Sequence, residues 1–146
     1  EVKVDITIQE KIVFPIASTP VLKTYDEYED LPVDAIISIY SINEIVSEKI
    51  VALLDPVRNE PRDLYDLWYL TTNKYVALAD LAEAVALKMK FRGKELIDVK
   101  ENFVRKEARF KKLWNVRLAA QMAQLPEYDE VFRAALRELR QAKYFG

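Results

Sequence analysis

Hydrophobic and polar residues alternate strictly over the first nine positions, EVKVDITIQ. A period of two is typical of a strand with one face against a core and the other in water. We therefore predict a half-buried strand over residues 1–9. Its apolar face carries Val2, Val4, Ile6 and Ile8, and its polar face carries Lys3, Asp5, Thr7 and Gln9.

Further strand-like segments follow before any helical periodicity. Residues 11–19 are mostly apolar, but Pro15 cannot donate to a strand ladder and predicts an edge or interrupted strand. Residues 21–28 are a weaker strand candidate, and residues 26–32 are acidic and turn-like. Residues 34–41, DAIISIYS, are apolar and β-branched, so this segment is predicted to be a buried strand.

The period changes to that of a helix after the last strand segment. Ser41 and Glu44 have the spacing of a capping box, in which the serine caps the helix and the glutamate reaches back to the first amide. This helix is predicted over 42–54, and it ends before Pro56 because the residue preceding a proline disfavours helical geometry. A second helix is predicted over 61–72, since proline suits the first helical position.

The remaining segments predict an α+β chain with a helical C-terminal half. Asp80 and Glu83 have the spacing of a cap for a helix that ends near Gly93. Residues 98–123 carry large apolar residues at helical spacing. This pattern is compatible with one long helix or with two shorter ones. A final helix is predicted to start at Pro126. The sequence therefore predicts short N-terminal strands followed by a bundle of four or five helices.

Composition excludes several kinds of chemistry. The 146 residues suffice for one domain, and 51% of them are hydrophobic, which is enough for a core. Because cysteine and histidine are absent, thiol chemistry is excluded and proton transfer falls to carboxylates, lysine, tyrosine or substrate. Two glycines cannot form a glycine-rich phosphate loop. The net charge of −2 and the lack of a long apolar run predict a soluble, cytoplasmic protein with no membrane partner.

One lysine interrupts the apolar face of the first predicted helix. At about 100° per residue, Lys49 falls within the stripe formed by Ile42, Ile45, Val46 and Leu53. A lysine in this position either extends along the apolar surface to water or meets an anion. The pattern leaves both interpretations open.

Two aspartates stand among large apolar residues in NEPRDLYDLWYL, residues 59–70. Asp63 and Asp66 lie within about 60° of each other around the helix. Asp63 is in the first turn, where the helix dipole favours an acid. Asp66 lies one turn further in and needs a partner, for which Lys49 and Arg62 are nearest in the sequence. Because a buried ion pair adds little net stability, a functional role stands beside the structural one as a hypothesis.

The polar face of the first predicted strand carries Lys3 and Asp5. A sheet face in water explains this alternation by itself. The alternative is a carboxylate held on a rigid strand to bind a hard cation such as Mg²⁺, although a single carboxylate is a weak indication of such a site.

Taken in chain order, these segments resemble the AbiEii family of nucleotidyltransferase toxins from abortive-infection, type IV toxin–antitoxin systems. The resemblance covers most of the chain and continues through its C-terminal helices. It implies a Mg²⁺-dependent enzyme that transfers a nucleotide from a nucleoside triphosphate, in some members onto tRNA. The residues that carry it are Lys3-Val4-Asp5, Glu48-Lys49-Ile50-Val51-Ala52-Leu53, Arg62-Asp63-Leu64-Tyr65-Asp66-Leu67, Leu113-Trp114 and Leu125-Pro126-Glu127-Tyr128-Asp129.

The resemblance also implies roles for individual residues and a protein partner, the cognate antitoxin. Lys49 would contact the triphosphate, and an aspartate would orient this lysine or assist the attacking hydroxyl. The implied catalytic residues are Lys49, Asp66 and Asp63, the implied nucleotide-binding residues are Lys3, Lys49 and Arg62, and the implied metal ligand is Asp5.

The family pattern begins with a Gly-Ser and an Asp-x-Asp-like pair, for which this sequence has no counterpart. We therefore expect residues 1–40 to be a partial sheet of a nucleotidyltransferase domain and residues 41–146 to be a helical domain. On this interpretation the chain is a fragment that holds part of an active site and is inactive by itself. The alternative is a non-catalytic helical module for protein interaction.

Overall fold

The protein has an α+β architecture in which a small sheet precedes a bundle of helices. Three predicted N-terminal features, at 1–9, 21–28 and 26–32, lie largely or partly outside the residues that the structure describes. A computed structural model describes residues 4, 6, 10–22, 25, 27, 32, 34–95 and 97–145.

The sheet consists, in the described chain, of two antiparallel strands, β1 (Ala17–Pro20) and β2 (Ile36–Ile39). β1 covers only the part of the predicted segment 11–19 that follows Pro15, and it is an edge strand of the described sheet. The prediction that β2 is buried is wrong, since all four of its residues are exposed and Ile36 is 67% exposed. Apolar, β-branched content favours a strand, but burial also requires a layer that packs on it. The register pairs Ala17 with Ile39, Ser18 with Ser38, Thr19 with Ile37 and Pro20 with Ile36.

The first helix, α1 (Ile42–Leu54), begins and ends at its predicted residues. The Oγ atom of Ser41 accepts a hydrogen bond from the backbone N–H of Glu44 at 3.2 Å, and the helix stops before Pro56. The second half of the predicted capping box is wrong. The Glu44 carboxylate instead accepts hydrogen bonds from the backbone amides of residues 13–14, at 3.1 and 2.9 Å. Local spacing therefore identified the cap, but the glutamate serves a distant segment.

Five further α-helices follow in the described chain. The second helix confirms its predicted bounds, and the region 98–123 contains two α-helices separated at Lys106 rather than one. The bundle thus has one helix more than the upper predicted number. The helices are α2 (Pro61–Thr72), α3 (Ala82–Phe91), α4 (Val99–Arg105), α5 (Glu107–Leu118) and α6 (Tyr128–Gln141).

The start of α3 differs from its prediction. A short 3-10 helix, Leu78–Leu81, precedes α3 and contains Asp80, and no side chain caps the first turn of α3. The predicted cap is therefore wrong, because the chain is already wound when it reaches α3. The predicted end is confirmed, since Gly93 follows with a φ of 65°, a left-handed conformation that glycine adopts without strain. A second 3-10 helix, Ala119–Gln121, follows α5.

The core lies where α1 and α2 meet the later helices. α1 packs on α2, α3 and α4, and α2 also packs on α5 and α6. Aromatic side chains join the outer helices: the rings of Phe103 and Phe132 stack at 5.1 Å, and Trp114 meets the edge of Tyr128 at 5.5 Å. The indole N–H of Trp114 donates to the carbonyl of Pro126 at 2.9 Å. This packing places α1 and α2, which carry Lys49 and the two aspartates, at the centre of the bundle.

Candidate active site

Lys49 lies between the two aspartates of α2. Its Nζ atom is 2.9 Å from Oδ1 of Asp63 and 2.7 Å from Oδ2 of Asp66. The side chain of Asp63 is 1% exposed, whereas those of Lys49 and Asp66 are 24% and 37% exposed. The predicted contact between Lys49 and Asp66 is therefore present. Asp63 forms the buried inner side of this cluster, and Asp66 forms its accessible outer side.

A second cation also binds Asp63. The Nε atom of Arg58 donates to Oδ2 of Asp63 at 2.8 Å, and the arginine side chain is 45% exposed. Asp63 thus binds one cation with each carboxylate oxygen, which explains how an acid tolerates full burial. Arg58 was not among the predicted site residues, because it lies in the connection between α1 and α2, where no helical periodicity indicates the direction of a side chain.

These contacts keep Lys49 charged. Burial by itself lowers the pKa of Lys49, but hydrogen bonds to Asp66 and Asp63 outweigh that effect, so the net shift is upward from the ordinary value. The pKa of Arg58 is also raised, chiefly by its hydrogen bond to Asp63. The site therefore contains two fixed cations held on one buried carboxylate.

The other predicted site residues lie apart from this cluster or outside the described residues. Arg62 is exposed on the surface of α2, and its side chain makes no hydrogen bond or ion pair within the described part of the chain. It is therefore Arg58, and not Arg62, that accompanies Lys49 in the structure. Lys3 and Asp5 are not among the described residues.

A second charged cluster fixes the N-terminal segment to the bundle. Lys88 of α3 is almost fully buried and donates to the carboxylates of Glu44 and Glu48 and, at 2.6 Å, to the carbonyl of Lys11. Arg92 donates to Glu48 at 2.5 Å. Burial raises the pKa of Glu44. Its hydrogen bonds with Lys88 and with the amides of residues 13 and 14 lower the pKa by a larger amount, so the net shift is downward. This network was not predicted, because its members are far apart in the sequence and Glu44 was expected only to cap α1.

The same glutamates give a test of where a divalent metal could bind. Oxygens of Glu10, Glu44 and Glu48 lie within 4.8 Å of one another. However, Lys88 already donates to Glu44 and Glu48, and Arg92 also donates to Glu48, so two cations neutralise these carboxylates. A divalent ion would have to displace the Lys88 ammonium from a buried position. This donor set does not fit a Mg²⁺ site.

A second buried lysine, Lys106, closes the C-terminal end of α1. Lys106 lies between α4 and α5, and its ammonium donates to the carbonyl of Leu53 at 2.7 Å and to the carbonyl of Asp55. A cation at this position interacts favourably with the helix dipole and satisfies carbonyls that lack a partner within the helix. Burial nevertheless lowers the pKa of Lys106 to about 8. The connection that carries Arg58 begins immediately after this capped helix end.

The comparison with protein families identifies the family to which this chain belongs. Within the described part of the chain, no helix combines the length and apolar content required to cross a membrane. Searches of curated proteins and of solved structures found no match. A comparison with protein families matches residues 1–138 to the nucleotidyl transferase AbiEii toxins of type IV toxin–antitoxin systems. Because this match spans nearly the whole chain, the protein belongs to the AbiEii family of nucleotidyl transferase toxins.

Proposed function

We propose that the cluster of Lys49, Asp63 and Asp66 is part of the active site of a cytoplasmic nucleotidyltransferase that takes its nucleotide from a nucleoside triphosphate. The observation that supports this most directly is the gradient of exposure, from a buried carboxylate through Lys49 to an accessible one. Family membership adds a nucleotide substrate and a cognate antitoxin. The proposed acceptor is tRNA, as the resemblance implies for some members.

Lys49 would bind the triphosphate as a point charge. An ammonium group has three N–H donors. Asp63 and Asp66 occupy two directions around Nζ, and the third has no acceptor among the described residues. A phosphate oxygen at that third donor would complete the coordination of the ammonium without breaking the contact to buried Asp63. Phosphoryl-type transfer depends mostly on such positioning and charge neutralisation.

Asp66 would orient Lys49 or assist the attacking hydroxyl, and its exposure supports a role at the surface of the site. Asp63 would keep the Lys49 side chain in place from the buried side, because its Oδ1 atom accepts from Lys49 while its Oδ2 atom accepts from Arg58. The absence of histidine agrees with a mechanism in which carboxylates and lysine contact the reacting groups.

The metal that accompanies this chemistry is proposed to be Mg²⁺, with Asp5 as a ligand. A bound divalent ion would supply charge neutralisation at the phosphates. The cluster of Glu10, Glu44 and Glu48 does not fit this ion, because Lys88 already donates to two of its carboxylates. Lys3 is a further proposed nucleotide-binding residue. Arg62, for which the resemblance implies the same role, makes no contact with the cluster in the described chain, so we do not propose it as a nucleotide ligand.

The 146-residue chain by itself is proposed to be inactive. Asp5 is one carboxylate on a predicted strand, and hard-cation nucleotide sites need more ligands. Incubation of the chain with each labelled triphosphate, Mg²⁺ and tRNA should leave the RNA unlabelled. Robust labelling would contradict this part of the proposal.

The central test replaces Lys49 by Met and Asp66 by Asn in the catalytically complete protein. Transfer should fall at least about 100-fold in each variant, a loss typical of groups that stabilise developing charge. Lys112→Met removes an exposed lysine of α5 that has no acidic partner in the described chain, and its activity should stay within about twofold of the unchanged protein.

Stability measured in parallel separates the two interpretations of the pair. If Lys49 and Asp66 line an accessible site, Asp66→Asn should change the free energy of unfolding by less than about 1 kcal/mol. Near-normal transfer by folded Lys49→Met or Asp66→Asn protein would refute the proposed roles and leave a structural ion pair.

A further inference from the structure

We propose that Arg58 is a second triphosphate-binding residue, set in place by the same buried carboxylate that holds Lys49. This inference rests on the proposed function, since it adds a cation to the phosphate site assigned to Lys49. It replaces Arg62, which the sequence suggested, with a residue that the structure brings to the cluster.

Asp63 aligns the two cations from inside the protein. Its Oδ1 atom is 2.9 Å from Nζ of Lys49, and its Oδ2 atom is 2.8 Å from Nε of Arg58. The side chain of Asp63 is 1% exposed, whereas those of Lys49 and Arg58 are 24% and 45% exposed. Both cations therefore cover the carboxylate and still face water on their other side. One carboxylate therefore fixes two positive side chains next to each other at the protein surface.

Arg58 retains the donors that bind phosphate best. A guanidinium group has five N–H donors in a planar fork, and only Nε is engaged here. The two terminal nitrogens have no acceptor in the described part of the chain, and the side chain is 45% exposed. A guanidinium held by one edge presents its remaining donors in the geometry that matches two phosphate oxygens.

The remaining acids near the cluster leave Arg58 more accessible to an anion than Lys49. Asp66 contacts Lys49 and takes part of its outer side. Asp55 is paired with Lys94, and Glu60 acts on Arg58 only through its charge. An incoming triphosphate would therefore meet the free fork of Arg58 together with the third donor of Lys49, so that two phosphate groups are bound at once.

Arg62 supplies a matched control for this proposal. It lies four residues after Arg58 and is exposed, but no contact within the described chain orients its side chain. Arg58→Gln and Arg62→Gln remove the same charge from the same part of the surface. General electrostatic attraction predicts equal effects of the two changes, whereas a fixed binding site predicts that only the first weakens binding.

The experiment measures binding of inorganic tripolyphosphate to the 146-residue chain by calorimetry in EDTA, so that neither metal nor catalysis is needed. Binding should weaken at least about tenfold in Arg58→Gln, because a hydrogen bond between charged groups is lost. Arg62→Gln should stay within about twofold, and Arg58→Lys, which keeps the charge without the fork, should fall between them. Thermal melts would establish that each variant is folded.

The outcomes separate this inference from the function on which it rests. If Lys49→Met weakens binding while Arg58→Gln equals Arg62→Gln, the role of Arg58 is overturned and the role of Lys49 is retained. If Arg58→Gln weakens binding and Lys49→Met does not, Arg58 is supported and the proposed role of Lys49 fails. Absence of any binding by the unchanged chain would overturn both.

Discussion

Asp63 is the residue on which the charged cluster between α1 and α2 depends. Its two oxygens hold Lys49 and Arg58, and its burial means that it must keep at least one of them. Spacing along a helix predicted the approach of Lys49 to Asp66, because both residues lie on regular helices whose faces follow from a fixed rotation per residue. Arg58 could not be predicted in this way, since the direction of a side chain in a connection depends on the tertiary fold.

Because Lys49 and Arg58 share the Asp63 carboxylate, the effects of replacing them on the free energy of unfolding should be strongly non-additive. Lys49→Met and Arg58→Met should each lower the free energy of unfolding by about 1–2 kcal/mol, because Asp63 retains one cation in either variant. The double variant leaves a buried carboxylate without a partner and should lose more than the sum of the two, roughly 3–5 kcal/mol or more. Urea titrations of the four proteins measure this coupling.

Lys112→Met gives the reference for removing a lysine that contacts no acid in the described chain, and it should change stability by less than about 0.5 kcal/mol. Single-variant losses that add to within about 0.5 kcal/mol in the double variant would show that Asp63 does not depend on the two cations together.

At the scale of the helix, α1 shows which features a sequence determines locally. Its bounds were predictable because a serine cap and a following proline act within a few residues of the helix ends. The contacts that use α1 were not predictable in the same way. Glu44 binds the segment at residues 13–14, and Lys106 caps the opposite end of the helix from about 50 residues away, both through contacts that only the folded bundle creates.

The cap at the end of α1 should make stability depend on pH. Burial lowers the pKa of Lys106 to about 8, whereas an unfolded lysine has a pKa of about 10.4. Between these values the unfolded chain binds more protons at this residue, so the contribution of Lys106 to the free energy of unfolding rises with pH and is lowest below about pH 8.

Lys106→Met removes that titration and serves as the reference protein. The difference in stability between the unchanged protein and Lys106→Met should shift in favour of the former by about 1–3 kcal/mol between about pH 7.5 and 10. Subtracting the free energy of unfolding of Lys106→Met from that of the unchanged protein removes the contributions of the tyrosines and exposed lysines that titrate in the same range. A difference that stays constant with pH, or moves the other way, would contradict the lowered pKa.

At the scale of the whole molecule, the helical bundle and the sheet differ in how well the sequence determines them. The bundle followed from periodicity and end signals, and it contains a continuous core that runs through all six α-helices of the described chain. For β2 the sequence predicted the strand but not its exposure, because apolar content does not say which layer will cover a sheet. The roles of Lys3 and Asp5 remain predictions.

The core predicts that the chain folds without metal or nucleotide. Large apolar residues of α1, α2 and α5 are fully buried, so folding free energy comes from the bundle and not from the charged cluster. Thermal unfolding in EDTA should be cooperative, with a midpoint within about 2 °C of that with Mg²⁺ and nucleotide at concentrations below saturation. A cooperative transition that appears only after both are added would contradict this expectation.

The hydrogen bond from Lys88 to the carbonyl of Lys11 has a consequence for the order in which a ribosome delivers this chain. The two residues are 77 positions apart, so the segment at residues 11–14 leaves the ribosome long before the helix that secures it. At about 5–20 residues per second, this delay lasts roughly 4–15 s. Both strands of the sheet emerge during the same interval, so β1 and β2 can pair before α3 is complete. The nascent chain therefore carries residues 11–14 without the Lys88 contact until α3 has been synthesised.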